Sequence, residues 1–76
     1  MIPKKKWLLI TFYTTAAAMK TEKLCAKAGS PGKLVPVPRS ITSDCGIAWR
    51  AELTEKERLT ELLKEVETAG FHEAEM

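Results

Sequence analysis

From Lys6 to Tyr13 the chain reads KWLLITFY, a continuous apolar run of strand length and type. Such a run predicts a central strand buried on at least one face. Thr14 and Thr15 then offer helix N-caps. Behind them Ala17, Ala18, Thr21, Leu24, Cys25 and Ala28 recur with helical spacing, while Lys20, Lys23 and Lys27 fall on the other side. Gly29 is placed to close this helix, and Ser30–Gly32 to turn the chain. Residues 33–38, KLVPVP, alternate and are β-rich, but two prolines deny two ladder donors, so they belong at a sheet edge. After the hydroxyl-rich loop RSITSD, the stretch CGIAWRAE alternates again. It sets Cys45, Ile47 and Trp49 on one face and Gly46, Ala48 and Arg50 on the other.

Thr54 with Glu57 has capping-box spacing, and Leu59, Leu62, Leu63 and Val66 form a second apolar stripe that Ala69 extends and Gly70 ends. FHEAEM then leaves room for a short last strand only, or the chain continues beyond Met76. The order β-α-β-β-α-β with two amphipathic helices predicts an α+β fold of ferredoxin-like type, with both helices packed on one face of a four-stranded antiparallel sheet. Residues 1–6 are expected as a basic N-terminal tail and residues 7–76 as a single domain.

Size and charge narrow the chemistry. A chain of 76 residues buries only roughly 60% of its unfolded surface, so a site is expected at a rim and not in a deep enclosure. A net charge of +2 is far from the basic balance that nucleic acid rewards, and the run Lys4–Lys6 reads as a solvated tail. The open face of the third strand lacks the base-stacking aromatics of RNA-recognition domains. WLLITFY is too short to span a membrane and has no signal-peptide cleavage pattern, so the expected location is the cytoplasm, with neither nucleic acid nor membrane as partner.

Cys25 and Cys45 stand twenty residues apart with one histidine, His72, in the chain, which fits no common zinc pattern and no disulfide framework. No metal and no cofactor are expected. Cys25 lies in the apolar stripe of the first helix and reads as core. Cys45 has two readings: a small hydrophobe beneath the helices, or an exposed, reactive thiol. The topology makes the first and third strands neighbours, so Cys45 falls near Tyr13 and Thr14 at the N-terminus of the first helix, where the amides and partial positive charge of a helix start favour a thiolate. Arg39 reaches the same rim. Asp44 acts in the opposite sense unless it turns to cap the loop's amides. Gly46, without a Cβ, leaves the sulfur approachable and permits an unusual backbone angle.

The segment PVPRSITSDCGIAWR, with TF and AMKTEKLCAKAG upstream, resembles a family of small bacterial proteins described as selenium/sulfur carrier protein-like. The resemblance runs from about Leu8 to Gly70. It implies a cytoplasmic carrier whose cysteine, here Cys45, holds sulfur or selenium as a persulfide or selenopersulfide. The family arginines map onto Arg39 and Arg50, and its loop hydroxyl and acid onto Ser43 and Asp44. Arg39, the hydroxyls of Ser40 and Ser43, and the amides at Gly46 and Thr15 would then stabilise the anionic persulfide. Partners would be a sulfur or selenium donor protein and an acceptor protein.

Two other classes stay open on the sequence. A hydrolase would need a base for Cys45, and His72 is the sole histidine available, so a carrier is favoured over a stand-alone enzyme. A non-catalytic module would bind a small anion or a protein through the 39–46 loop and the open sheet face, whose small residues suit a partner surface or a second copy of the chain.

Overall fold

A computed structural model describes residues 5–37 and 46–75. The elements are β1 (Lys6–Phe12), α1 (Thr15–Ala28), β2 (Lys33–Pro36), β3 (Ile47–Ala51), a 3₁₀ turn (Leu53–Glu55), α2 (Lys56–Leu62) and β4 (Thr68–Glu75). The four strands form one antiparallel sheet in the order β2-β3-β1-β4. This is the expected ferredoxin-like α+β arrangement, with β1 and β3 central and the proline-bearing β2 at an edge.

Alternation in β1 decides what each face buries. Leu8, Ile10 and Phe12 join Trp49 and Ala51 of β3 in the main core, where Ala18 and Cys25 of α1 and Leu59, Leu63 and Val66 of the α2 region cover them. Leu9 faces the other way and packs with Val35 and Ala48 in a smaller cluster flanked by Val37 and Ala74. Both sides of β1 are thus apolar, which explains its unbroken hydrophobic run.

α1 has the limits its residues predict. Thr14 is in an extended conformation and its Oγ1 accepts from the Ala17 amide at 3.2 Å. Gly29 takes φ 70°, a left-handed angle costly for a residue with a Cβ, and its amide and that of Ser30 close on Ala26 and Cys25 carbonyls. Arg58 of α2 donates to the Ala28 carbonyl and so ties the two helices together at this end.

The second helical region departs from the sequence reading. α2 stops at Leu62, its N-cap is Glu55 without a side-chain capping bond, and Thr54 lies inside the 3₁₀ turn, so the expected capping box does not form. Leu63 and Val66 reach the core from a turn held by Leu63→Leu59 and Val66→Leu63 amide bonds. Ala69 and Gly70 lie in β4, Gly70 opposite Thr11, and not at a helix end. The reason is the second edge of β1. A central strand with buried faces must pair its backbone on both sides, and a ladder from Lys6↔Glu75 to Phe12↔Thr68 does so only if β4 begins before Gly70. The last strand is accordingly eight residues long. Among the described residues no helix is long and apolar enough to cross a membrane.

Candidate functional site

β3 enters the sheet at the end where β1 leaves it. The pair Thr11↔Ala48 is the last of the β1–β3 register, and two residues beyond it lie Tyr13 and Gly46. Tyr13 is exposed and immediately precedes the N-cap Thr14. Gly46 is tied to β2, its carbonyl accepting from the Val37 amide at 3.1 Å. Its φ is +74°, and among the described residues a Cβ placed there would meet nothing within 4 Å. Gly46 thus uses the backbone freedom that its lack of a Cβ permits, and no described residue crowds it.

The α1 N-terminus contributes from the adjacent strand. Thr14 Oγ1 is engaged as the cap acceptor, while Thr15 and Ala16, at the start of the first turn, carry amides outside the helix's own ladder. Of the predicted site residues, Thr14, Thr15 and Gly46 are described and belong to this one rim. Arg39, Ser40, Ser43, Asp44 and Cys45 lie outside the described residues.

Cys25 is the described thiol. It is fully buried at 0% exposure, on the inner face of α1. Burial pushes its pKa above the ordinary value of 9.0, with Glu55 adding to the rise. A side-chain hydrogen bond with Ser30 and the charge of Arg58 act against that rise without cancelling it. A thiol in this setting is neutral and sealed from reagents, as expected of a core residue.

The family model described as "Putative Se/S carrier protein-like" matches residues 7–73. The chain belongs to this family. No curated protein and no solved structure matches it. In this member of the carrier-like family, the described residues hold no group of three His, Cys, Asp or Glu side chains able to bind a metal ion. His72 sits opposite Leu9 within β4, exposed, its ring lying against Gly70.

Sequence reasoning missed what surrounds Arg50. Its guanidinium stacks over the Trp7 ring, 4.3 Å from the centroid, and Lys5 stands over the same ring at 4.7 Å. Lys5 also pairs with Glu52 at 2.6 Å and so is engaged with the sheet. The signal was parity: Trp7 is odd-numbered like Leu9 and Thr11, hence on the face away from the helices, and the register sets Leu9 opposite Arg50.

Proposed function

We propose that this protein carries sulfur or selenium as a persulfide or selenopersulfide on Cys45, without being a stand-alone enzyme. The observation that supports this most directly is the burial of Cys25. With one of the chain's two thiols enclosed in the core and held neutral, the family's cargo falls to the other. The left-handed Gly46, uncrowded by any described residue, and the helix start at the same end of the sheet favour the same assignment.

Loading is a redox-neutral exchange. The Cys45 thiolate attacks the outer sulfur of a donor persulfide, a new S–S bond forms on Cys45, the donor's S–S bond breaks, and the donor leaves as a thiolate. An acceptor thiolate then attacks the outer sulfur and returns Cys45 to its thiolate. Between the two steps the bound persulfide is anionic. The amides of Thr15 and Gly46 and the side chains of Arg39, Ser40 and Ser43 would stabilise it, with Asp44 turned toward the loop's own amides. Donor and acceptor are proteins of sulfur or selenium metabolism, and the cytoplasm is the compartment in which free thiols of this kind persist.

Intact-mass spectrometry after incubation with a persulfide donor tests the reading. A gain of one sulfur mass, reversed by thiol reductant, retained in Cys25→Ser and lost in Cys45→Ser, is the expected result. A wild-type protein that gains nothing while Cys45 reacts with an alkylating reagent overturns it.

A further inference from the structure

At the opposite end of β3 from Gly46, a groove of about 280 Å³ runs between the start of β2 and the end of β3. Trp7, Pro31, Gly32, Lys33, Arg50 and Glu52 line it. Arg50 is four residues along the strand from Gly46, roughly 13 Å at about 3.3 Å per residue, so this groove is separate from the rim formed by Gly46 and the start of α1.

The charges of the groove do not balance. Glu52, its carboxylate, is taken by Lys5 at 2.6 Å. Lys33 and Arg50 have no carboxylate partner among the described residues. Arg50 is moreover oriented: it is half-buried, its guanidinium is stacked on Trp7, and its Nε is buried with no acceptor among the described residues. The Nε is enclosed, so what the groove meets is the rest of a guanidinium held flat against an aromatic face, a planar cation of the kind that suits a carboxylate or phosphate oxygen. Beside it the Trp7 ring and Pro31 offer apolar surface. Gly32 lets the β2 segment approach closely, because a Cβ there would stand 2.6 Å from the Arg50 carbonyl and from Trp49 Nε1.

We propose that this groove binds a small organic oxyanion, a carboxylate or phosphate monoester whose charged group is held by Arg50 and Lys33 and whose apolar part lies against Trp7. The volume sits at the lower limit of ligand pockets and matches a single-ring molecule. The site does not use Cys45, so it stands or falls independently of sulfur carriage.

The test is an NMR titration of the full-length Cys45→Ser protein with benzoate, phenyl phosphate, acetate and inorganic phosphate at constant ionic strength, with chloride as the matched control. Expected are saturable shifts of the Trp7 indole N–H and the Arg50 Nε–H. Binding should be tighter for the aromatic member of each pair and at least about tenfold weaker in Arg50→Lys, which keeps the charge and loses the planar fork. Lys33→Gln gives a second, milder loss and serves if Arg50→Lys does not fold. Lys64→Gln, remote on the α2 side, changes nothing. Shifts that rise linearly and equally in chloride, or that persist unchanged in both groove variants, overturn the proposal. Saturation by acetate and phosphate as tight as by their aromatic counterparts also overturns it, by removing the role of Trp7.

Discussion

Replacing Cys45 by serine leaves Cys25 as the one thiol, and its labelling rate becomes a direct readout of how the inner face of α1 opens. Cys25 is fully buried three residues before the end of that helix, so a reagent reaches it only after the last turn loosens or the whole domain unfolds. Loosening the last turn alone breaks the Gly29→Ala26 and Ser30→Cys25 amide bonds and the Arg58→Ala28 tie. At about 1 kcal/mol each these sum to ~3 kcal/mol, a factor of about 150 in population. Global opening of 76 residues costs ~4–11 kcal/mol, a factor of about 10³ or more. The expected result with a disulfide reagent is therefore labelling at least about 150-fold slower in native buffer than in urea, with native rates that rise in Arg58→Ala as the tie is removed. Native labelling within about tenfold of the unfolded rate would refute both the burial of Cys25 and the step that passes the family's chemistry to Cys45.

Four further outcomes follow from the same fold. Leu59 is fully buried between α2 and the sheet, so Leu59→Ala should cost about 3–5 kcal/mol in urea unfolding, and a cost under about 1 kcal/mol would contradict its place in the core. Gly46→Ala meets no atom of the described residues within 4 Å and should lose the left-handed backbone term, about 1–2 kcal/mol, with Gly46→Asn recovering part of it; equal stability of all three in urea melts would exclude the positive φ. Gly32→Ala sets a Cβ against backbone and a buried indole, and should cost about 1–3 kcal/mol with a changed near-ultraviolet signal from Trp49, whereas an unchanged spectrum and midpoint would exclude the close approach. Because the folded state raises the Cys25 pKa above 9.0, that thiol contributes its full stability below this value and loses it as the pH rises toward the folded pKa. Urea midpoints measured from about pH 7.5 to about 10.5 should thus fall more steeply for Cys45→Ser than for the same protein with Cys25→Ala added, and parallel curves would remove the linkage.

The sheet order, the first helix and its caps were legible because each rests on a local rule: an unbroken apolar strand, a helical stripe, a hydroxyl before it and a glycine after it. The second helix was misjudged at both ends for reasons that are not local. Leu63, Val66 and Ala69 continue the apolar spacing, and nothing near them in sequence announces that β1 requires a partner along its other edge. Thr54 and Glu57 have the right separation for a capping box, but a 3₁₀ turn takes Thr54 first. At the candidate rim, Gly46's backbone angle and the helix start were readable from residue type and topology. The Trp7–Arg50 stack was not, since it depends on register between strands more than forty residues apart, which no short pattern encodes.

The long reach of β4 bears on how the protein is made. Thr11 donates its side-chain hydrogen bond to Gly70, 59 positions further along the chain, and every β1–β4 pair spans a comparable distance. The first strand of the sheet is therefore completed by the fourth. Until residues 68–75 are available, β1 can pair with β3 alone and keeps an open flank of unsatisfied amides and carbonyls, the kind of edge that recruits other chains. Pairing of residues 68–75 closes that flank. Loss of residues 68–75 should accordingly be far more damaging than their few buried side chains suggest, and a chain that lacks them is the form of this protein most in need of a chaperone.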